Sequence, residues 1–243
     1  MVAWPVGAAE PLRFSTQSST ALTRISVQVL AEAYAMLGLR FNVEIFPHKR
    51  SLFAANAGWV DGELHRVGGI EQDYPDLVRV PVPINHYRFV ALARDPCLRI
   101  QRWEDLESYR IGFVRGTISL ERRTRGMRVT LVTEMDDLIR SLQAGRIDVV
   151  LTARIVAMER LAQLPGTELF LLELPLEGVP VFHYLNRRHA ALVPRLQQAL
   201  EQMRAAGRIA ALEREAEAAL GYRAPRVDCP ARRDPKPRPR VPA

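Results

Sequence analysis

The 243 residues are 48% hydrophobic and 25% charged, enough apolar content for one large domain or two small lobes with cores of their own. No uncharged apolar run approaches the roughly 18 residues of a membrane span, and the two cysteines, Cys97 and Cys229, allow at most one disulfide and no metal-ligand spacing. The net charge of +7 points to an anionic partner only until it is located: residues 223–243 hold seven Lys or Arg against two Asp, a net +5, and leave a nearly neutral body of +2 that excludes nucleic acid as the partner.

Residues 1–11 open with "MVAWPVGAAEP", a short apolar stretch ending in small residues. It resembles the last part of a secretory signal with a cleavage site near Ala9, although no positive n-region precedes it. A signal remnant or a flexible N-terminus is expected here, with a periplasmic location. "LRFST" (12–16) reads as a strand. After it Leu22, Ile25, Val29, Ala33 and Leu37 share one helical face, and Gly38 suits the left-handed position that ends a helix. "FNVEIF" (41–46) alternates like a half-buried strand. Pro47 leads into a helix from His48 to Ala57 that Gly58 stops, and the strand "VDGEL" follows. This β-α-β-α-β series implies parallel strands with right-handed crossovers.

A second series begins near Tyr109. "RIGFVRG" (110–116) is a strand ending in Gly, "TISLERRTRG" a short helix and "RVTLV" (128–132) a strand. Thr133 is expected to cap the next helix, whose Met135, Leu138, Ile139 and Leu142 repeat at helical spacing until Gly145. "IDVVL" is then a strand. The phrase "NAGWVDGELHR" (56–66) is thereby echoed by "AGRIDVVLTAR" (144–154), helix, Gly stop and strand each time, once in each of two α/β lobes. Asp61 and Asp148 in these phrases read as architectural residues that cap a turn, not as catalytic ones.

Two extended runs, "VRVPVPINHYRFVALAR" (78–94) and "PVFHYLNRRH" (180–189), leave the two series, and the C-terminal helical stretch sets Leu192, Leu196, Leu200 and Met203 on one face. The expected organisation is a first lobe made of 12–86 and 184–222, a second lobe of 87–183, hinge residues Asn85, His86, Tyr87, Phe182 and His183, and a disordered basic Pro/Arg-rich tail, 223–243.

The order of several stretches resembles the type II periplasmic solute-binding proteins, in particular the extracellular solute-binding family 3 of the polar amino acid type. They are "PHKRSLFAANAGWVDGELHR", "W-EDL" at Trp103 to Leu106, "RIGFVRGT" at 110–117, "DDLIRSLQAGRIDVVL" at 136–151 and "YLNRRHAALVPRLQQALEQMRAAGRI" at 184–209. The resemblance runs from about Leu12 to Gly207. It implies an α/β fold of two lobes, each a mostly parallel sheet flanked by helices and joined by two hinge crossings, that closes on a small polar solute. It also implies a ligand carboxylate held by Arg66, whose planar guanidinium offers two parallel hydrogen bonds, and by the turn Gly116, Thr117 and the Ile118 amide. Ser18 and Ser19 in "TQSST" and His48 complete the implied ligand set.

The pocket departs from the family at two places. The acid that holds an α-ammonium is replaced by Ala153, between Thr152 and Arg154, and no aromatic residue follows the first strand. Both departures favour an anionic or neutral polar ligand over an α-amino acid, and Arg154 is expected to add positive charge. The five histidines stand without Cys, Asp or Glu at metal-ligand spacing, and no G-x-S-x-G or phosphate-cradling glycine loop is present, so no metal, cofactor or catalytic residue is expected. A monomeric stand-alone binder is expected, serving an ABC permease or a membrane sensor. A dehydratase-like enzyme and an effector-sensing module of a signalling system are the alternatives on the same fold.

Overall fold

The structure, a computed structural model, describes residues 10–176, 178–225 and 227–229. The expected signal remnant therefore lies almost wholly outside the described residues, as does the tail beyond Cys229.

Strand β1 (Leu12–Thr16) leads to Thr20, whose Oγ1 accepts from the Thr23 amide and starts helix α1 (Ala21–Met36). That helix buries Leu22, Ile25, Val29 and Ala33, the face that the 3.6-residue period selects. Then come β2 (Phe41–Ile45), α2 (His48–Asn56), β3 (Gly62–Val67), β4 (Leu77–Tyr87) and β5 (Phe89–Ala93). The extended run 78–94 is thus two strands, and they belong to different sheets.

A 3-10 helix (Trp103–Ser108) precedes β6 (Ile111–Val114), α3 (Ile118–Arg123), β7 (Val129–Val132), α4 (Met135–Gln143) and β8 (Val149–Ala153). Glu134, not Thr133, occupies the N-cap of α4, and it makes no side-chain cap bond. Helix α5 (Arg154–Ala162) and strand β9 (Phe170–Glu173) follow, neither of which the sequence pattern announces. The chain ends with β10 (Val179–Asn186), a 3-10 helix (Arg187–Leu192), α6 (Val193–Ala205) and α7 (Arg208–Ala219).

The chain divides into two compact units. The first holds the described residues up to His86 together with Pro180–Glu215, and the second holds Tyr87–Val179 with the described residues from Ala216 on. The first sheet has the order β2-β1-β3-β10-β4, with β2, β1 and β3 parallel and β10 antiparallel to β3. The second has the order β7-β6-β8-β5-β9, with β7, β6 and β8 parallel and β5 antiparallel to β8. Each is therefore a parallel βαβαβ sheet whose third strand pairs with a strand arriving from elsewhere in the chain.

Three sequence expectations are corrected. Residues 180–183 belong to the first unit because β10 pairs with β3 from Val181 onward, and residues 216–222 fall in the second. Asn85, Phe182 and His183 are strand residues inside the first unit rather than free hinge residues: Asn85 and His183 are fully buried, and the Asn85 Nδ2 donates to Ser26 Oγ at 2.6 Å. The chain changes unit between His86 and Tyr87 and between Val179 and Pro180. Finally, Cys229 is not in a loose tail. It is bridged to Cys97, with Cα atoms 5.4 Å apart across 132 residues of sequence.

The first unit's core centres on Phe14, Tyr34 and His183, whose rings meet at 4.6–5.8 Å. The second packs Phe89, Ile111, Phe113, Leu120, Val149 and Leu151 together. Each such Leu, Ile or Phe fully removed from water contributes about 1.5–3 kcal/mol.

The echoed phrase does the same work twice. The Asp61 amide donates to the Arg13 carbonyl at 2.7 Å and its Oδ2 accepts from the Arg13 amide at 2.7 Å. Asp148 repeats this with Arg110, at 2.8 and 2.9 Å. Each Asp pins the entrance of the third parallel strand to the start of the first. Burial disfavours the ionised Asp61, but the Arg13 amide and the side chains of Arg188 and His189 outweigh it and hold the carboxyl below its usual range.

Candidate functional site

The buried polar groups of the first unit gather at the ends of β1 and β3, the carboxyl ends of its parallel strands, where open α/β sheets present their ligand sites. The local cause is an irregularity in β3. Phe182 faces Arg66 and Tyr184 faces Glu63, so the two residues Leu64 and His65 oppose the single His183. This is a β-bulge, and it changes which side chains share a face. In a regular strand, residues three apart point to opposite faces. Here Glu63 and Arg66 lie on one face and His65 on the other.

On the first face, Glu63 is fully buried. Its Oε2 accepts from Ser15 Oγ at 2.8 Å and from Ser51 Oγ of α2 at 2.6 Å. Its Oε1 lies 2.9 Å from Arg66 Nε, a buried ion pair. The Arg66 side chain is only 6% exposed, and its Nη1 donates to Gln17 Oε1. Its Nη2 is buried without a partner, and so is Thr16 Oγ1 one residue before Gln17. Burial pushes the Glu63 carboxyl up, against Arg66, Ser51 and Ser15, which favour its charged form. The Arg66 guanidinium is thus oriented from two sides, and its Nη2 is left without a hydrogen-bond partner.

On the opposite face, His65 Nδ1 and Ser26 Oγ of α1 are 2.6 Å apart, with Asn85 donating to the same hydroxyl. Ser26 and Asn85 are at most 1% exposed, and burial lowers the His65 pKa to about 3. An imidazole so reluctant to take a proton is a poor general base near neutrality, and the trio reads as a polar seam between α1 and β3. His183 is similar: its Nδ1 donates to the Leu64 carbonyl at 3.0 Å, its Nε2 accepts from Tyr34 Oη at 2.9 Å, and burial lowers its pKa to about 4.

Of the other residues expected in the ligand set, Ser18 is half-buried and its carbonyl accepts from Thr23 Oγ1 at 2.9 Å, while Ser19 is exposed. His48 opens α2. Gln17 and Glu63 escaped the sequence reading. Gln17 lies next to Ser18 and could have been found there, whereas Glu63 looks like an ordinary outward residue of an alternating strand until the bulge is seen.

The second unit has a neutral counterpart. The hydroxyl of Tyr87 lies among the side chains of Thr152 and Thr117 and the Ala153 backbone, and burial raises its pKa. Two of the groups expected to cradle an anion, the Gly116 amide and the Thr117 hydroxyl, have partners of their own. The Gly116 amide, at φ 84°, donates to Glu121 Oε1 at 2.7 Å, and Thr117 Oγ1 donates to the Val114 carbonyl at 2.8 Å. Ile118 is the first residue of α3 and is half-buried. Arg154 adds no net charge: it bonds Glu173 at 2.6 Å and also Glu217, which Arg88 shares. Among the described residues no group of three or more His, Cys, Asp or Glu could hold a metal ion, and no helix is long and apolar enough to cross a membrane.

No family model matches the chain. It is 26% identical over 201 residues to an uncharacterized protein of Shewanella oneidensis, covering 79% of this chain and 75% of the relative. Among solved structures it is similar to a histidine kinase sensor domain that itself has similarity to periplasmic binding proteins, with TM-score 0.72, 17% identity, and coverage of 90% of this chain and 99% of that one. It is also similar to an amino acid ABC transporter substrate-binding protein from Streptococcus pneumoniae bound to L-arginine, with TM-score 0.65, 16% identity, and coverage of 81% and 84%. These likenesses show the fold, which is the α/β type II fold of periplasmic binding proteins.

Proposed function

We propose that this chain is a solute-binding protein that takes a small polar, carboxylate-bearing solute on Arg66, and that it serves an ABC permease or a membrane sensor from the periplasm. The observation that carries the reading is the unpartnered Nη2 of a buried guanidinium at the carboxyl end of β3, held from behind by Glu63 and from the side by Gln17. A charge-assisted, two-pronged bond to a carboxylate is what such a group is suited to make. The similar structures, one a sensor domain and one a transporter's substrate-binding protein, support both partner classes. The bridge between Cys97 and Cys229 supports an oxidising compartment, where disulfides persist. Ala153, at the end of β8, has no side-chain anion to offer an α-ammonium. Carboxylates without an amine are therefore expected to bind at least as well as the matching amino acids.

A thermal-shift panel of polar amino acids, their deaminated analogues, dicarboxylates and sugars tests this. At a ligand concentration near 100 times Kd, binding adds about 2.7 kcal/mol of stability. At about 2–4 °C per kcal/mol for a chain of this size, that raises the midpoint by roughly 5 to 10 °C. Arg66→Lys keeps the charge beside Glu63 but not the planar fork, and it is expected to abolish the shift. An undiminished shift in that variant, or shifts from sugars alone, would remove Arg66 from the site.

A further inference from the structure

The site on β3 holds its own countercharge. Glu63 and Arg66 share a face only because the bulge at Leu64 and His65 inserts one residue between them. Both are at least 94% buried, so the pair is electrically closed before any solute arrives. The groups facing Glu63 are few. Ser15 on β1 and Ser51 on α2 bond its Oε2, Arg66 lies beside its Oε1, and Tyr184 is opposite it on β10 with its own hydroxyl donated to the Val67 carbonyl. The α2 cations Lys49 and Arg50 are exposed. Among the described residues that act on Glu63, Arg66 is the one positive charge.

A carboxylate placed on the unpartnered Nη2 would therefore leave two buried anions sharing one guanidinium. Two carboxylates competing for one cation in a site of low dielectric cannot both stay charged cheaply, and the one with a free lone pair takes up a proton. Glu63 Oε1 keeps such a lone pair, since both serines donate to Oε2 and only the Arg66 Nε lies against Oε1. Resting on the reading of Arg66 as the solute contact, we propose that Glu63 is a specificity-determining residue that sets the charge of the site. A carboxylate solute enters together with one proton, which Glu63 binds, and a neutral acceptor such as an amide enters with none. The site then selects for net neutrality rather than for anions as such. The upward push that burial gives the Glu63 carboxyl acts in the same direction.

The measurement is isothermal titration of the intact chain with a monocarboxylate, propionate, and with its amide, propionamide, plus any monocarboxylate and amide pair from the thermal-shift panel that gives a shift. Running each in two buffers of different ionisation enthalpy counts protons directly and needs no variant. For carboxylate probes, uptake approaching one proton per ligand is expected in the neutral to mildly alkaline range, with affinity tightening about tenfold per unit fall in pH. For amide probes, no uptake and a flat profile are expected. In Glu63→Gln, which keeps the acceptor for Ser15 and Ser51, carboxylate binding should persist with its proton uptake lost. Binding that depends on Arg66 but takes up no proton, or takes up the same number in Glu63→Gln, overturns this inference and leaves the Arg66 site standing. Absence of Arg66-dependent binding by every probe overturns both.

Discussion

The third parallel strands of the two units occupy the same place in their sheets and do opposite things with it. Pairing with the antiparallel neighbour aligns Glu63 with Val150, since Tyr184 faces one and Leu92 the other, and it aligns Arg66 with Thr152, since Phe182 faces one and Val90 the other. Strand β8 is regular and buries Val149, Val150, Leu151, Thr152 and Ala153. Strand β3 has one residue more over the same span and buries Glu63, His65 and Arg66 instead. An uninterrupted ladder makes core, and a single inserted residue makes room for charge. The same parallel frame thus supports an ionised site in one unit and a neutral one, around Tyr87, in the other.

The sharpest way to break this comparison is to remove the charge. Arg66→Met leaves Glu63 buried beside Ser15 and Ser51 with no cation, and loss of one partner of a buried pair costs about 3–5 kcal/mol near neutral pH. Thr152→Val at the matching place removes one hydroxyl from the Tyr87 cluster and is expected to cost only about 1–2 kcal/mol. Urea unfolding followed by two probes can compare them. Equal costs would mean that the Glu63–Arg66 pair is no more demanding than a hydroxyl contact, and the contrast between the strands would fall.

This contrast is also where sequence reading stops. Helices α1 and α4 are legible because their apolar residues recur at helical spacing and glycine ends them. Helix α5 is not, because "RIVAMERLA" follows a strand directly, with Ala153 at its N-cap and no side chain to mark the start. A bulge leaves no period at all, since it is a property of pairing between residues over 100 positions apart. Arg66 could be named from the resemblance, but its orientation by Glu63 and Gln17 could not. With two cysteines the only possible bridge is Cys97 to Cys229, but whether it forms across 132 residues is not legible, because Cys229 sits among prolines and arginines that read as disorder.

The disulfide offers the second test, because only the second unit contains it. Cys229→Ser should lower the stability of that unit by about 2–5 kcal/mol, the usual range for a bridge closing a long loop. Hydrogen exchange should quicken in β5 to β9 and stay nearly unchanged in β1 to β4. Uniform quickening over both units would show that they unfold as one.

Acid should weaken the first unit selectively. All five histidines lie in it, and two of them are buried and neutral: His65, with its pKa lowered to about 3, and His183, lowered to about 4. A folded pKa below the unfolded value of about 6.5 means that the unfolded chain binds the proton first. The stability each imidazole lends is thus complete above about pH 6.5 and is lost as the pH falls toward 4 for His183 and toward 3 for His65, at up to about 1.4 kcal/mol per pH unit each. Glu63, whose carboxyl is pushed up, acts in the opposite sense, since acid relieves its buried charge. His183→Gln, which can still meet Tyr34 and Leu64, should flatten the fall by roughly half. Thermal midpoints at several pH values would check this, and an unaltered slope in the variant would assign the acid sensitivity elsewhere.

The smallest expected effect tests whether the repeated phrase is one device used twice. Gly58 and Gly145 end α2 and α4 at φ 75° and 67°, a left-handed conformation that costs an L side chain about 1–2 kcal/mol. An added Cβ at Gly58 would come within 3.1 Å of Arg188 Nη1, and one at Gly145 within 2.9 Å of Arg94 Nη2. Both neighbours are the far ends of flexible side chains and can move aside, so backbone strain should dominate in each unit. Gly58→Ala and Gly145→Ala are therefore expected to destabilise by nearly the same 1–2 kcal/mol, reduced by up to about 1 kcal/mol for the lower entropy of the unfolded chain. Asn tolerates this conformation better than Ala, so the Asn variants should lose less. Both units bridge the glycine carbonyl to the Asp with an arginine, Arg188 to Gly58 and Asp61 at 2.5 and 2.6 Å and Arg110 to Gly145 and Asp148 at 2.7 Å each, but only in the first unit is that arginine the one an added Cβ crowds, so a displaced Arg188 also loosens the Asp that pins β3 to β1. If Gly58→Ala costs clearly more than Gly145→Ala, and Arg188→Ala cancels the excess, the phrase in the first unit is tied into the support of the charged strand, and the two copies are equivalent in shape but not in duty.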